Sequence, residues 1–337
     1  MGFAVLVEAA PRARPEPSLR FSVVLVNYNG LGWTVKALES VRAQGHPSVE
    51  AVVVDSGSAD GSVAEIEAWI LDHKDLPTRL LPFPDNIGFA AGCNRAFEVA
   101  RGELLYLLNN DAEMQPGVLS RIDGLARQRP EAGSFMCSMR FTDEPGTINS
   151  TGIVAFWDGS AMDRKWKRPL AENPPLSEVL GPCGGAAVWR REVLAKVGAL
   201  DEEFFMYSED VDLALRSQRA GFSCLYVPDA VVHHKGSLSA ARSPKLALME
   251  IQYRNVLLTL LRNFPAGARL RGWFMFALRF GTGFVRHGRA DTHCRLHAIR
   301  YAWRNRKRLA TERAFIRSLG PDSRVLRWLF FRESQHP

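Results

Sequence analysis

Three polar side chains follow an uninterrupted apolar run in the first half of the chain. Residues 104–108 are all Leu or Tyr, and Asn109, Asn110 and Asp111 come directly after them. Such a run suits a strand that is buried on both faces of a parallel sheet. Because open α/β sheets bind ligands outside the carboxyl ends of their strands, Asp111 and the amide two residues before it could hold a divalent cation and a phosphate group. The alternative is a turn in which these side chains bond the local backbone.

A second group of acids stands at the start of a helical pattern near residue 210. The sequence from Tyr207 reads YSEDVD and contains Glu209, Asp210 and Asp212. Ser208 suits the N-cap of the helix, and acids in a first helical turn are stabilised by the helix dipole, which is enough to explain Asp212. Three acids within four residues exceed what capping needs. A carboxylate at an enclosed site can also take a proton from an attacking hydroxyl group, as a general base.

Two adjacent histidines, His233 and His234, end a β-branched apolar run. Neighbouring side chains on a strand point to opposite sides, so at most one of the two imidazoles can face the site. A neutral imidazole there could complete a metal site with Asp111. The alternative is that both histidines only end the strand.

Strand and helix patterns alternate through the part of the chain that must position these residues. Strand patterns cover residues 21–26, 51–54, 78–81 and 104–108, and helical patterns cover residues 31–44, 63–71 and 89–100. This alternation predicts an α/β fold with a mostly parallel central sheet, flanked by helices.

Polar residues follow each of the early strands as well, and parallel strands would bring them to one edge of the sheet. Asn27 and Asn29 follow the first strand, Asp55 follows the second, and Asn86 and Gly88 follow the third. Asp55 could accept hydrogen bonds from a base or a ribose, or it could cap the next turn. No GxGxxG or GK[ST] sequence accompanies these turns, which argues against dinucleotide-dependent hydride transfer and against a P-loop ATPase.

A run of small residues, GPCGGA at 181–186, precedes a strand that ends at Trp189. Gly184 and Gly185 would let the backbone approach a ligand closely, or would allow tight packing where the chain crosses the sheet. The preceding stretch, residues 141–181, has poor periodicity and is expected to form a loop or hairpin beside the donor site.

The charge of the chain is concentrated at its C-terminal end. Residues 262–337 contain 17 Lys or Arg against 4 Asp or Glu, a formal charge of +13, which leaves −6 for residues 1–261. A strongly basic tail favours an anionic partner, either phospholipid or nucleic acid. No RNA-binding signature is present, whereas the apolar stretch 270–285 and the terminal VLRWLFF suit a membrane interface. Five cysteines without a CxxC pair favour a reducing compartment.

Seven motifs occur in order between residues 21 and 262: VVLVNYNG, VDSGSADGS, DNIGFAAGCNRA, LLNNDAEM, CGGAAVWRREV, FFMYSEDVDLALR and VPDAVVHHKGSLS. Together they resemble the motifs of inverting family 2 glycosyltransferases with a GT-A fold, in particular bacterial rhamnosyltransferases that build polysaccharides or lipid-linked glycans. The processive QxxRW signature is absent, which favours the transfer of one sugar per encounter.

This resemblance implies a role for each candidate residue. Asp210 would be the base that deprotonates the acceptor hydroxyl, with Glu209 supporting it. Asp111 would be the metal-binding acid of a variant DxD motif, for Mg²⁺ or Mn²⁺. Ser239, five residues after His234, selects that histidine as the second metal ligand. The nucleotide-sugar donor would be held by a further set: Asn27, Asn29, Asp55, Asn86, Gly88, Asn94, Asn109, Asn110, Gly184 and Gly185.

Arg254 and Asn255 match an Arg-Asn pair that is often seen in the rhamnosyltransferase-like branch. The guanidinium could contact a diphosphate or an acceptor phosphate, or it could lie on a solvated helix face.

The sequence therefore predicts a disordered leader at 1–20, a GT-A domain at 21–240 and a helical, basic, membrane-associated region at 241–337. The expected reaction transfers rhamnose from dTDP-rhamnose, with a divalent cation, to a hydroxyl of a glycan or polyprenyl-linked acceptor. It would take place on the inner face of the cytoplasmic membrane and involve no nucleic acid. The alternatives are a UDP- or GDP-sugar donor or a non-catalytic membrane-bound scaffold. A sugar nucleotidyltransferase would need a basic Gly-rich loop near the first strand, and the sequence has none.

Overall fold

The computed structural model describes residues 19–236 and 245–330, with only the backbone for 279–287. Most of the predicted leader, residues 1–18, lies outside this range, as do Ser239 and the residues after 330. Within the described residues the central feature is a ten-stranded mixed sheet, accompanied by a separate sheet of three short strands.

The first half of the chain alternates strand and helix, as predicted. Its elements are β1 (Phe21–Asn27), α1 (Thr34–Arg42), β2 (Val49–Ser56), α2 (Ser62–Asp72), β3 (Thr78–Phe83), α3 (Phe89–Val99) and β4 (Leu104–Leu108). The four strands run parallel in the order β3-β2-β1-β4. Every residue of β2 and β4 is buried, because helices cover both faces of the sheet.

The next part of the chain extends the sheet on the far side of β4. Its elements are β5 (Ala112–Met114), α4 (Val118–Gln128), β6 (Ala132–Phe141), β7 (Ile148–Ser150), β8 (Ile153–Phe156), β9 (Ala161–Asp163), β10 (Ser177–Val179), β11 (Ala186–Arg190), α5 (Arg191–Val197), α6 (Glu209–Ala220) and β12 (Ser223–His234). β11 lies antiparallel between β4 and β6, and β12 runs parallel to β6. The poorly periodic stretch after residue 141 forms short strands, among them the β8–β9 hairpin.

The C-terminal region is helical, as predicted. It comprises α7 (Lys245–Asn263), α8 (Ala266–Arg304), α9 (Arg306–Ser318), α10 (Ser323–Leu326) and the short β13 (Leu329–Phe330). Gly288, with φ +67°, interrupts α8. The Nη1 atom of Arg295 donates to the carbonyl of Phe276 at 3.3 Å, so the two halves of α8 lie against each other as a hairpin. Across residues 19–236 and 245–330, no helix is both long enough and apolar enough to cross a bilayer.

These helices are packed firmly onto the sheet. Leu257 of α7 and Leu309 of α9 belong to the same hydrophobic core as α3 and α6. Arg262, which is buried, forms ion pairs with Asp201 and, at 3.4 Å, with Glu312. The terminal VLRWLFF was expected at a membrane interface, yet Val325 is buried and the segment pairs through β13 with β8. The C-terminal region is therefore part of the protein's core and not a loose tail.

Candidate active site

A cavity of about 860 Å³ opens at the carboxyl ends of the parallel strands. Ten of the fourteen predicted site residues line it: Asn86, Gly88, Asn109, Asn110, Asp111, Gly184, Gly185, Glu209, Asp210 and His234. The structure therefore brings the two amides and the one acid after β4, the acids at the start of α6 and the histidine at the end of β12 to one cavity. Asn27, Asn29, Asp55 and Asn94 are not among the lining residues.

Asn27 and Asp55 form a buried layer directly behind the cavity. They lie opposite each other in the β1–β2 register, and Asn27 Nδ2 donates to Asp55 Oδ1 at 2.6 Å. Asn27 Oδ1 accepts hydrogen bonds from Thr34 Oγ1 at 2.6 Å and from Asn110 Nδ2 at 3.2 Å. Because Asn110 does line the cavity, this layer fixes the cavity wall on the β1–β2 side.

Asn29 and Asn94 are used in hydrogen bonds elsewhere. Asn29 Oδ1 accepts from the backbone N–H of Ala59 at 2.8 Å, which ties the turn after β1 to the turn after β2. Asn94 Oδ1 accepts from the N–H of Leu200 at 3.2 Å, and its Nδ2 donates to the carbonyl of Leu200 at 2.8 Å. The predicted contacts of these two side chains with a donor have no support in this geometry.

The turn before α3 depends on a glycine. Asn86 Oδ1 accepts from Ser56 Oγ at 3.1 Å and from the N–H of Gly88 at 2.9 Å. Gly88 has φ +83°, a conformation that side chains rarely allow, and a Cβ there would lie 2.5 Å from the ring of Phe205. Gly88 thus permits the start of α3 to approach the segment that carries the acids of α6.

Asp111 and His234 present two ligand atoms on the same side of the cavity. His234 Nδ1 donates to Asn149 Oδ1 at 3.1 Å, so in the neutral imidazole Nε2 is the acceptor. That Nε2 lies 3.0 Å from Asp111 Oδ1 and 3.1 Å from Asn109 Nδ2. Two adjacent ligands of an octahedral ion at about 2.1 Å lie about 3.0 Å apart, so the pair fits a divalent cation.

Asn149 gives this pair the support that metal-bound histidines usually have, because its carbonyl oxygen fixes the tautomer and the ring orientation. No group of three His, Cys, Asp or Glu side chains that could hold a metal occurs in the described residues. A cation bound by Asp111 and His234 would therefore take its other ligands from a diphosphate or from water.

Glu209 is buried in the cavity wall and Asp210 is half-buried there, and the two differ in their hydrogen bonds. Asp210 accepts from the N–H of Gly184 at 2.9 Å and from that of Val211 at 2.7 Å, and burial raises its pKa to about 6. Burial, followed by the charge of Asp210, raises the pKa of Glu209 to about 8. Glu209 Oε2 has no hydrogen-bond partner within the part of the chain that the structure describes. At neutral pH the pair therefore holds a carboxylate at Asp210 and a neutral acid at Glu209.

The segment that precedes these acids has a strained backbone. Phe205, Tyr207 and Ser208 have φ values of +62°, +68° and +68°, which are uncommon for residues other than glycine. The prediction that Ser208 caps the helix is wrong, because its left-handed backbone differs from the extended conformation of an N-cap and its side chain makes no capping bond. Strain of this kind persists only where the surrounding structure holds it.

The side chain that holds this segment is Asn255 of α7. Its Nδ2 donates to the carbonyls of Phe204, Met206 and Tyr207 at 2.9, 2.9 and 2.7 Å. Arg254 Nη2 adds a bond to the carbonyl of Glu203 at 2.7 Å. Arg254 therefore packs against the backbone of this segment, and the alternative that it lies on a solvated helix face is wrong.

Asp212 has a structural role, as its position in the first helical turn suggested. It is buried and accepts from Arg216 Nε at 2.8 Å and from Asn263 Nδ2 at 2.7 Å. Burial opposes its charge, but the charge of Arg262, then that of Arg216 and the bond from Asn263, keep its pKa lowered. Asp212 therefore links α6 to α7 and does not face the cavity.

Several cavity-lining residues were missed by the sequence analysis. Asn149, Asp163, Trp166 and Lys167 come from the irregular stretch around the β8–β9 hairpin. The signal available in the sequence was the run RKWKR at 164–168, a tryptophan among four cations. The expected loop or hairpin had no strand register, so it did not place this run relative to the acids of α6.

Comparison with known proteins tests the predicted family independently of the site geometry. The sequence profile described as Glycosyl transferase family 2 matches residues 22–198. The N-acetylglucosaminyl-diphospho-decaprenol L-rhamnosyltransferase of Mycobacterium tuberculosis is 27% identical over 248 residues, which cover 66% of this chain and 78% of that protein. The Asn-Asn-Asp segment after β4 lies inside the matched profile, whereas Glu209 and Asp210 lie beyond its end.

Solved structures agree on the fold. A mannosyltransferase of Pyrobaculum calidifontis, in complex with GDP-Man and Mn²⁺, aligns with a TM-score of 0.53 at 18% identity, covering 95% of this chain and 91% of that one. Residues 1–349 of S. aureus TarS, in complex with UDP-GlcNAc, align with a TM-score of 0.57 at 14% identity and cover 93% of each chain. These likenesses confirm the predicted GT-A architecture.

Proposed function

The chain belongs to glycosyl transferase family 2 and is a hexosyltransferase, and we propose from this premise that it transfers a sugar with inversion from a nucleoside diphosphate donor to an acceptor hydroxyl. The proposal rests on two separate sets of side chains that line one cavity. Its wall presents a carboxylate at Asp210 and, separately, a cation-binding pair at Asp111 and His234. Inverting sugar transfer needs these two functions, a base for the acceptor and a positive charge for the leaving diphosphate.

Asp210 would act as the general base. It takes the proton of the acceptor hydroxyl as that oxygen attacks the anomeric carbon, while the bond from the anomeric carbon to the diphosphate breaks on the opposite face of the sugar. This single displacement inverts the anomeric centre and needs no second nucleophile. The bonds from the N–H groups of Gly184 and Val211 hold the carboxylate in place. Glu209, as the neutral acid, can donate a hydrogen bond to a sugar hydroxyl.

Asp111 and His234 would hold Mg²⁺ or Mn²⁺ with the donor diphosphate. The bound cation would supply the positive charge that stabilises the departing diphosphate. Asn109 stands where a second acid would add negative charge to the metal site, but its amide is neutral. In the structure its Nδ2 donates to His234 Nε2.

We propose dTDP-rhamnose as the donor and a polyprenyl-linked glycan as the acceptor. The support is the rhamnosyltransferase from M. tuberculosis, whose name states a diphospho-decaprenol acceptor. A UDP- or GDP-sugar is the alternative donor, since the solved structures with this fold hold UDP-GlcNAc or GDP-Man. A non-catalytic scaffold is a further alternative.

We also propose that the protein works on the inner face of the cytoplasmic membrane, through the outward face of α8. Leu270, Phe274 and Leu278 are one turn apart and are 72%, 62% and 60% exposed. Gly272 lies on the opposite side, where a Cβ would meet Leu260 of α7 at 2.4 Å. An apolar strip within a region of formal charge +13 suits the headgroup zone of an anionic bilayer.

The donor and the reaction are tested by nucleotide release. Purified protein is supplied with dTDP-rhamnose, UDP-GlcNAc or GDP-mannose, with Mn²⁺ or with EDTA, and with a polyprenyl-linked acceptor. We expect acceptor-dependent release from dTDP-rhamnose that EDTA abolishes. We expect Asp210→Asn to lower the rate by about 10²–10⁴-fold while leaving dTDP binding unchanged. Failure of every donor, together with no thermal shift on adding dTDP or UDP, would support the scaffold instead.

A further inference from the structure

A basic turn borders the cavity on the side away from the nucleotide-binding strands. It comprises residues 164–168, RKWKR, and follows β9 directly. Trp166 and Lys167 of this turn line the same cavity as Asp210. Neither residue has a role in the proposed handling of the donor.

The turn is held in a defined shape. The N–H of Arg164 donates to the carbonyl of Gly152 at 2.7 Å, and the N–H of Lys167 donates to that of Ile148 at 2.9 Å. Lys165 and Lys167 have φ values of +60° and +58°. Non-glycine residues held in the left-handed region occur preferentially at ligand-binding sites, because the surrounding structure must impose the conformation.

The turn presents an indole and a cation to the cavity. Trp166 is 46% exposed, and the Nζ of Lys167 lies 4.9 Å from the centre of its ring. Arg168 is paired with Glu172 at 2.8 Å, whereas neither Lys165 nor Lys167 forms an ion pair with any residue described in the structure. An exposed ring that stacks on apolar faces beside an uncompensated ammonium group suits a ligand with a sugar ring and a phosphate.

The turn lies apart from the Asn27–Asp55 layer of the proposed donor site. Ile148, which holds the turn, belongs to β7, and β7 pairs with β6. In the sheet, β6 is separated from β1 by β11 and β4. The buried Asn27–Asp55 layer, by contrast, lies at the ends of β1 and β2. Asp163, at the end of β9, is close enough that its charge helps to raise the pKa of Asp210. Asn149, the neighbour of Ile148 on β7, bonds His234 of the proposed metal pair. The turn therefore borders both Asp210 and the metal pair, where the acceptor hydroxyl and the donor diphosphate would meet.

We propose that Trp166 and Lys167 form a subsite for a phosphorylated acceptor. The indole stacks on the face of the accepting sugar, and the ammonium group of Lys167 binds the phosphate or diphosphate attached to that sugar. This inference rests on the proposed sugar transfer and adds to it the chemical class of the acceptor, a sugar phosphate ester. The donor also carries a diphosphate, so the experiment must separate the two sources of phosphate.

The test compares two synthetic acceptors that differ only in phosphate, an alkyl diphospho-N-acetylglucosamine and the neutral alkyl glycoside of the same sugar. With saturating donor, we expect Lys167→Glu to raise the KM for the diphosphate acceptor at least about tenfold and to leave that for the neutral acceptor unchanged. We expect Trp166→Ala to raise both. The KM for the donor should stay the same in both variants.

Trp303 and Arg306 provide matched controls. They form an exposed indole–guanidinium pair, 4.3 Å from ring centre to guanidinium, that does not line the cavity. Trp303→Ala and Arg306→Glu should leave every one of these constants unchanged.

Two kinetic results would overturn the proposal. One is an unchanged KM for the diphosphate acceptor in both variants, and the other is a rise in the donor KM instead, which would assign the ammonium group to the donor diphosphate. Titration calorimetry with the diphosphate acceptor alone gives a readout that does not need turnover. Weaker binding by Lys167→Glu supports the subsite, and equal binding overturns it. Binding without transfer by the unmodified protein would contradict the proposed function and leave the subsite supported.

Discussion

Glu209 and Asp210 are adjacent in sequence, but their surroundings give them different protonation states. Asp210 receives two backbone hydrogen bonds, which favour its carboxylate, whereas Glu209 has an oxygen without a partner among the described residues. Burial raises both pKa values, to about 6 for Asp210 and about 8 for Glu209. At the same pH, Asp210 is thus a carboxylate that can act as a base and Glu209 is a neutral acid that can donate a hydrogen bond.

The pH dependence of transfer should follow from this division. Asp210 is active as the carboxylate, so the rate should fall as the pH drops through about 6. Glu209 is active as the acid, so the rate should fall as the pH rises through about 8. We expect kcat/KM to rise and then fall as the pH increases. Because the two carboxyl groups interact, the two apparent pKa values of this profile describe the pair together.

Replacing Glu209 by glutamine separates the two limbs. The amide keeps a hydrogen-bond donor but cannot titrate, so Glu209→Gln should retain the acidic limb and lose the alkaline one. Glu192→Gln, on α5 and outside the cavity lining, is the control and should leave the profile unchanged. An alkaline limb that persists in Glu209→Gln would contradict the assignment.

Metal binding by Asp111 and His234 should depend on Asn149, which would not itself be a metal ligand. Asn149 fixes the imidazole of His234 through its carbonyl oxygen, so we expect Asn149→Ala to raise the half-saturating Mn²⁺ concentration by about tenfold. The measurement is the rate of transfer against free Mn²⁺. Asn173→Ala, which removes the acceptor of the Tyr226 hydroxyl, is the matched control. An unchanged Mn²⁺ requirement in Asn149→Ala would argue against His234 as a ligand.

At the level of elements, helix α7 holds the conformation of the segment that carries Asp210, the proposed base. The left-handed residues at 205, 207 and 208 turn the chain so that Glu209 and Asp210 enter the cavity wall. The three carbonyls of residues 204, 206 and 207 that this conformation exposes are all bonded by the amide of Asn255. Asn255 is accordingly a positioning residue for Asp210.

We expect Asn255→Ala to lower kcat at least about tenfold while the donor KM stays nearly constant, because the base loses its position and the donor site does not. The free energy of unfolding should fall by about 1–3 kcal/mol, since buried carbonyls lose their partner. Asn305→Ala, which removes one bond to Tyr301 within the same helical region, is the control for a general loss of stability. A variant that loses stability but keeps kcat and its pH profile would show that Asn255 is only structural.

The sequence predicted elements well where their determinants are local. Hydrophobic periodicity placed β1 to β4 within a few residues, and the polar residues after these strands did reach one edge of the sheet. The N-cap at Ser208 was wrong because Asn255, 47 positions later, imposes the left-handed backbone. Trp166 and Lys167 were missed for a related reason. An irregular stretch has no periodicity from which to infer that it folds against β7 and β6.

At the level of the whole molecule, the C-terminal region combines two roles. Faces of α7, α8 and α9 complete the core of the sheet domain, and α8 folds back on itself as a hairpin. The exposed apolar strip of α8 lies on the side away from that core. The proposed membrane contact would therefore place the bilayer against the helices that also hold the catalytic segment.

Flotation with vesicles tests this contact. We expect the protein to float with anionic vesicles and not with zwitterionic ones, and less as ionic strength rises. The double variant Leu270→Glu and Phe274→Glu should weaken flotation by at least about tenfold, because burial of two large apolar side chains is lost. Leu71→Glu on α2, 69% exposed in the native protein, is the matched control. Equal flotation of the double variant would exclude this strip as the contact.

The dependence of the acids on Asn255 also has a consequence for how the enzyme is made. Synthesis reaches Asp111, Glu209 and Asp210 well before the ribosome adds Asn255. A nascent chain that has all its acids but not yet that amide lacks the hydrogen bonds that set the base. The proposed base would therefore be set only after the last quarter of the polypeptide has been translated and has docked, and turnover would begin only then.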